Sequence, residues 1–240
     1  MGTKIQPKKG KANLIDFPVS LLKDATNCDI HETCYNIMCF SAYKITLHLR
    51  FNDEYGKMEY ASKLFNFKYN DVEKAYDTGE KIFKKVKLFF PKITIRPDII
   101  IDFIESDKNQ FEVDCFLAYC SLKSIVQLDP FKKLTKDYLF ARMMGLPKAS
   151  GEWRVHETYK KYDIRYHWDK LKIELQTNSI WDIKYYSDRT HGFYISFVLE
   201  YDKLVLEAQK LHKRYIEKQL RQKKEAAQKK ADDELNNSTS

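Results

Sequence analysis

Two groups of residues in this 240-residue chain have types and spacings that could do chemistry. Cys28, His31, Cys34 and Cys39 form a C-x2-H-x2-C-x4-C pattern, four donors of the kind that hold zinc. The pattern lacks a paired C-x2-C knuckle, and Cys34 falls in phase with Ile37, Met38 and Ala42 on the apolar face of a helix. Free cysteine behaves as a small buried hydrophobe, so the core reading is preferred and no metal or other cofactor is assigned. The second group is Lys160, Lys161, Tyr162, Arg165, Tyr166 and Lys172, followed by Lys184, Arg189 and His191. Bases interleaved with tyrosines can neutralise phosphate, donate to base edges and stack on sugars.

No catalytic constellation competes with that second group. A nuclease reading would need Pro97-Asp98 to act with Asp182-Ile183-Lys184, but 84 positions separate the two aspartates. None of the six histidines forms the His-hydrophobe-His pair of rolling-circle initiators. His212 is followed by Lys213-Arg214, one position out of phase for a tyrosine recombinase. Glycine-rich phosphate loops are absent from a chain with seven glycines. The expectation is a protein that is not an enzyme.

Both groups must be positioned by regular elements, which the apolar spacing outlines. Residues 1–12 are polar and read as a disordered tail. A first helix is expected over His31–Arg50, with Cys34, Ile37, Met38, Ala42, Ile45 and Leu49 inward. A short helix over about 57–65 and a longer one over about 70–88, capped by Asn70 or Asp71, follow. Ser62, Asn66, Phe67 and Val72 fill the four constrained places of a helix-turn-helix. Packing alone meets the same constraints in many helix pairs, and Glu73 and Asp77 would repel phosphate. This first unit, 13–105, is therefore better suited to scaffolding or dimer contacts.

KITIRP reads as a strand, with a helix over Ile99–Ile104 after it. In the second unit, 106–200, a helix spans Phe111 to Leu128 and ends at Asp129-Pro130. Thr135 caps a short helix that Gly145 stops. After the loop LPKASGEWRV, a long helix over His156–Asn178 carries Ile164, Trp168, Leu171 and Leu175 inward. At about 100° per residue, Arg165 and Lys172 fall on its flank and Tyr162 and Tyr166 face away from the core. Single lysines of this kind are more often solvated than functional, so the order of elements carries the weight. A hairpin closes the unit, with arms IWDIKYY and FYISFVL and a turn SDRTHG. Residues 201–231 form a basic helix whose stripe of Leu204, Ala208, Leu211 and Tyr215 lasts about two heptads, enough for a short dimer seam. Residues 232–240 are expected to be disordered.

The formal charge of +8 is unevenly placed. Residues 1–12 hold four lysines and no acid, and residues 210–230 hold nine bases and two acids. The stretch 13–209 is neutral, at −3 over 13–131 and +3 over 132–209. Lys223 and Lys224 in the basic helix would add affinity for phosphate without reading sequence. No apolar run reaches about 18 residues and no signal peptide is evident, so membrane insertion and secretion are not expected. Five cysteines, an odd number, fit reduced thiols in a cytoplasm.

The order helix, short helix, loop, long helix, hairpin is that of a winged helix-turn-helix, in a mainly α chain with small β-hairpins (α+β). FEVDCFLAYCSLKSI, PFKKLTKDYLFARMMG, KLKIELQ, SDRTHGFYISFVL and the charged tail resemble winged-helix proteins of phages, plasmids and integrative elements of Bacteroidota. A more distant likeness is to plasmid replication initiators with two tandem winged helices, although the first unit lacks an obvious wing. The resemblance implies a mobile-element setting and a DNA-binding fold, with no residue roles. The expected function is non-enzymatic binding of double-stranded DNA, as replication initiator or transcriptional regulator, in contact with the replication or transcription machinery. A protein-interaction adaptor on the same scaffold and an RNA-binding protein remain the alternatives.

Overall fold

The computed structural model describes residues 14–26, 29–48, 53–67, 71–86, 91–147, 157–188 and 192–238. The expected tail over 1–12, Cys28, Arg189 and His191 lie outside these residues.

Strand β1 (Ile15–Pro18) pairs antiparallel with β2 (Lys92–Ile95), Ile15 opposite Ile95 and Phe17 opposite Ile93. The strand expected in KITIRP is present, and its partner comes from the apolar segment near the start of the chain. All four of those side chains are buried. A 3-10 turn (Val19–Thr26) leads to α1 (Ile30–His48), which buries Cys34, Ile37, Met38, Cys39, Phe40 and Ala42. Helices α2 (Glu54–Phe65) and α3 (Val72–Lys85) meet at a turn where Asn66 adopts φ 54°. The Ser62 hydroxyl donates to the Phe67 carbonyl at 2.9 Å, closing that turn. Phe67 and Val72 are buried as the helix-turn-helix spacing requires.

Gly79 sets how closely α3 approaches α1. A Cβ there would lie 2.1 Å from the Cys39 carbonyl oxygen, so only glycine fits. Tyr43 packs edge-on against Tyr76 and tilted against Phe83 along the same seam.

Pro97 opens α4 (Pro97–Glu105), and a reciprocal capping box between Asn109 and Glu112 opens α5 (Gln110–Val126). Helix α5 is buried on nearly every side, as its apolar composition dictates. Its serines stay satisfied: Ser121 donates to the Leu117 carbonyl and Ser124 to that of Ser121. One contiguous core runs from Ile15 through α1, α4 and α5 to Ile195, joining side chains of 13–105 and 106–200.

Strand β3 (Lys132–Leu134) precedes α6 (Lys136–Met143), whose cap Thr135 accepts from the Tyr138 amide and which ends near Gly145 at φ 74°. The long helix expected over His156–Asn178 is corrected. The chain forms one turn, α7 (Glu157–Lys160), a 3-10 turn (Lys161–Asp163), an extended Ile164, and then α8 (Arg165–Thr177). The break turns Tyr159 and Tyr162 inward and leaves Ile164 exposed, so Ile164 is not a core residue.

Strands β4 (Lys184–Asp188) and β5 (Gly192–Ser196) form the expected hairpin, and β3 adds a third strand in the order β3-β5-β4, all antiparallel. Trp181 and Ile183 lie just before β4 and are buried. Phe193 and Ile195 face the main core, whereas Tyr194 packs with Leu204 and Ala208 of α9 (Tyr201–Ser238). The sheet thus separates α5 and α8 from α9. Helix α9 is about 57 Å long at 1.5 Å per residue. It continues to Ser238, past the expected limit at 231. Of its expected stripe, Leu204 and Ala208 are buried, and Leu211 and Tyr215 are exposed. The fold is mainly helical with small antiparallel strand pairs. No helix among the described residues is long and apolar enough to cross a membrane.

Candidate nucleic-acid interface

Helix α8 is seated by Trp168, Leu171 and Leu175, the three apolar residues that recur on one face. Trp168 meets Phe193 of β5 edge-on at 5.3 Å and Phe140 of α6 at 6.1 Å. The Lys136 ammonium lies over the Trp168 ring at 5.1 Å. A polar latch holds the turn before α8. Asp114, fully buried on α5, accepts from the Tyr162 hydroxyl at 2.5 Å, the Lys161 ammonium at 2.6 Å and the Gln110 amide at 3.0 Å. Burial, then the hydrogen bond to Asp114, push the Tyr162 phenol well above its ordinary range.

Seated this way, α8 presents Arg165 and Tyr166 to solvent, with the Arg165 side chain 92% and Tyr166 70% exposed. Asp169 stands between the flanking bases, accepting from Arg165 Nε at 3.3 Å and from Lys172 Nζ at 2.5 Å. Its carboxyl is held below the usual range, first by Lys172 and then by Arg165. The Arg165 contact is long and open to water, so it releases at little cost to an incoming phosphate or guanine edge.

The remaining expected contact residues divide sharply. Tyr162 is 0% exposed and cannot touch nucleic acid, because the break at Ile164 rotates it onto α5. Lys161 is committed to Asp114. Lys172, 18% exposed, bridges Trp168 of α8 and Tyr185 of β4 with its ammonium over both rings, which makes it a fastener of helix to hairpin. Lys160 pairs with Glu157 and Lys184 with Asp182, both near the surface. Lys223 and Lys224 are exposed on α9, about 22 Å along the helix from Ala208. They lie on the helix that packs across the sheet from α8. Arg165 and Tyr166 thus stand exposed on the helix that meets the hairpin through Trp168 and Lys172, and the lysines of α9 stand on the helix packed against Tyr194.

Asp114, Asp169 and Lys136 are the residues that sequence spacing did not single out. Asp114, set among Val113, Cys115, Phe116 and Leu117, was the available signal, since a charge at a buried helical position requires a partner. Cys34 and Cys39 are buried and free, and burial pushes both thiols up to about 12. Among the described residues no group of three His, Cys, Asp or Glu is placed to hold a metal. Comparison of the chain with protein-family models, with curated proteins and with solved structures finds no match.

Proposed function

We propose that the protein is a non-enzymatic, double-stranded-DNA-binding protein of a mobile genetic element, acting as replication initiator or transcriptional regulator. In this reading residues 106–200 are a winged helix-turn-helix. The observation that carries it is the exposure of Arg165 and Tyr166 at the start of α8, a helix held to the β4–β5 hairpin through Trp168 and Lys172. The order α5, β3, α6, α8, β4, β5, with β5 between β3 and β4, supports it. At 13 residues α8 is about 20 Å long, which suits a major groove about 12 Å wide. Arg165 reads a base edge, Tyr166 meets sugar or phosphate, and the bases of α9 add affinity that does not depend on sequence. The mobile-element setting rests on the resemblance of the sequence segments.

Mobility-shift titration with fragments of the encoding element tests the reading. Neutralising six phosphates gives a slope of log K against log salt of about −5. Arg165→Ala should flatten base preference while retaining general affinity. A slope near zero, or no shift with any duplex, overturns the proposal. Exposed Ile216 and Leu220 on α9 favour the adaptor alternative, which predicts capture of one protein in place of nucleic acid.

A further inference from the structure

Tyr166, Lys170, Ile173 and Thr177 recur along α8 at intervals of four, three and four, and all four are exposed. This stripe runs down the side of the helix opposite to the buried Trp168, Leu171 and Leu175. Two of its polar groups are turned elsewhere. The Lys170 ammonium lies over the Phe111 ring of α5 at 4.4 Å, and the Thr177 hydroxyl donates to the Ile173 carbonyl at 2.9 Å. Ile173 is left in the middle of the stripe with 58% of its surface open to water.

The surroundings of Ile173 suit a polyanion. Arg165 and Lys172 flank the stripe, with Asp169 as the acid between them. The Gln176 side chain donates to the Tyr185 carbonyl at 3.2 Å, which ties the same stretch of α8 to the hairpin. A β-branched side chain is stiff at χ1, so Ile173 presents its methyl groups in a fixed direction from a fixed helix. In a major groove the base edges offer hydrogen-bonding groups and one apolar group, the C5-methyl of thymine.

We propose that Ile173 is a specificity-determining residue of the DNA-binding face and packs on the C5-methyl of a thymine. In this assignment, which rests on the reading of α8 as the helix that enters the major groove, Arg165 and Ile173 meet different base pairs. They are eight residues apart, about 12 Å along the axis. At about 3.4 Å per base pair, the thymine lies about three to four base pairs from the base that Arg165 contacts. Uracil lacks the methyl, so the same residue favours DNA over RNA.

Selection from a randomised duplex pool with the full chain supplies the probe. Each thymine of the selected duplex is then replaced in turn by uracil, which keeps the pairing and removes only the methyl, and Kd is measured by mobility shift. One replacement should weaken binding about fourfold, the value of one buried methyl group. Ile173→Ala should bind that thymine duplex and its uracil form alike, whereas Ile173→Val, which keeps a branched apolar side chain, should still distinguish them. Replacing an exposed side chain of this kind has little effect on folding. A selected site in which no change of thymine to uracil weakens binding, or a difference that survives in Ile173→Ala, overturns the role of Ile173 and leaves the DNA-binding reading standing. Failure to select any duplex overturns both.

Discussion

The hydroxyl of Tyr162 donates to Asp114 Oδ2 over 2.5 Å inside the protein, joining residues 48 positions apart. Lys136 reinforces the contact by donating to the Tyr162 carbonyl at 2.9 Å. The turn before α8 is thereby tied to both α5 and α6, and the direction in which Arg165 and Tyr166 project follows from a buried carboxylate. Tyr162→Phe leaves Oδ2 with Lys161 as its remaining partner and should cost about 1–3 kcal/mol. Asp114→Ala, which orphans the phenol and frees the ammonium, should cost about 3 kcal/mol or more. Urea denaturation checks both, and midpoints equal to the parent chain would refute the latch.

Gly79→Ala should destabilise the contact of α1 with α3. The added methyl meets a backbone carbonyl at 2.1 Å, and a carbonyl inside a helix cannot step aside as a flexible side chain would. The expected loss is about 1–3 kcal/mol, or more if the helices part. Thermal unfolding measures it, and an unchanged midpoint would show that the helices slide apart freely.

Asp169→Asn should strengthen binding to every duplex by about fivefold, because it removes a negative charge from the face proposed to meet phosphate. Replacing Lys223, Lys224, Lys229 and Lys230 with Gln should weaken all sequences alike and make the salt slope shallower by about 3–4. If either change alters base preference instead, the division between a reading helix and a basic arm is wrong.

The buried thiols set an alkaline limit on stability. Cys34, Cys39 and Cys115 are pushed from 9.0 up to about 12, chiefly by burial, and Cys120 lies well above 9.0 for the same reason. The folded chain keeps these protons while the unfolded chain releases them above pH 9. Their contribution is therefore fully present below pH 9 and is lost as pH rises towards 12. Denaturation midpoints measured from pH 8 to 11 should fall. At pH 8 a disulfide reagent should modify no more than Cys28 in the folded protein and all five cysteines in denaturant. Rapid modification of several thiols under native conditions would contradict this.

Elements whose signals lie within a few residues were legible in the sequence. The left-handed Asn66, the Thr135 cap, the stop at Gly145 and the buried side of α1 are each fixed by neighbours one turn away. Strand β3 was not legible, because three residues are too few to display a period and their pairing depends on β5, some sixty positions later. The site was half legible. Arg165 and Tyr166 project outward as their phase on the helix demands, but Tyr162 was assigned the same side because the periodicity was extended through Ile164.

By itself the sequence determined the helix caps, the apolar faces and the partition of charge into a neutral centre and basic ends, since these follow from local backbone chemistry and counting. Tertiary structure decided which bases remain available. A buried carboxylate cannot stay unpaired, so Asp114 engages the Lys161 ammonium and draws Tyr162 out of the surface at the helix break before α8. The sheet, once closed by β3, places α8 on one face and α9 on the other. Long-range burial and pairing outweighed helical phase at those positions, and no local pattern records them.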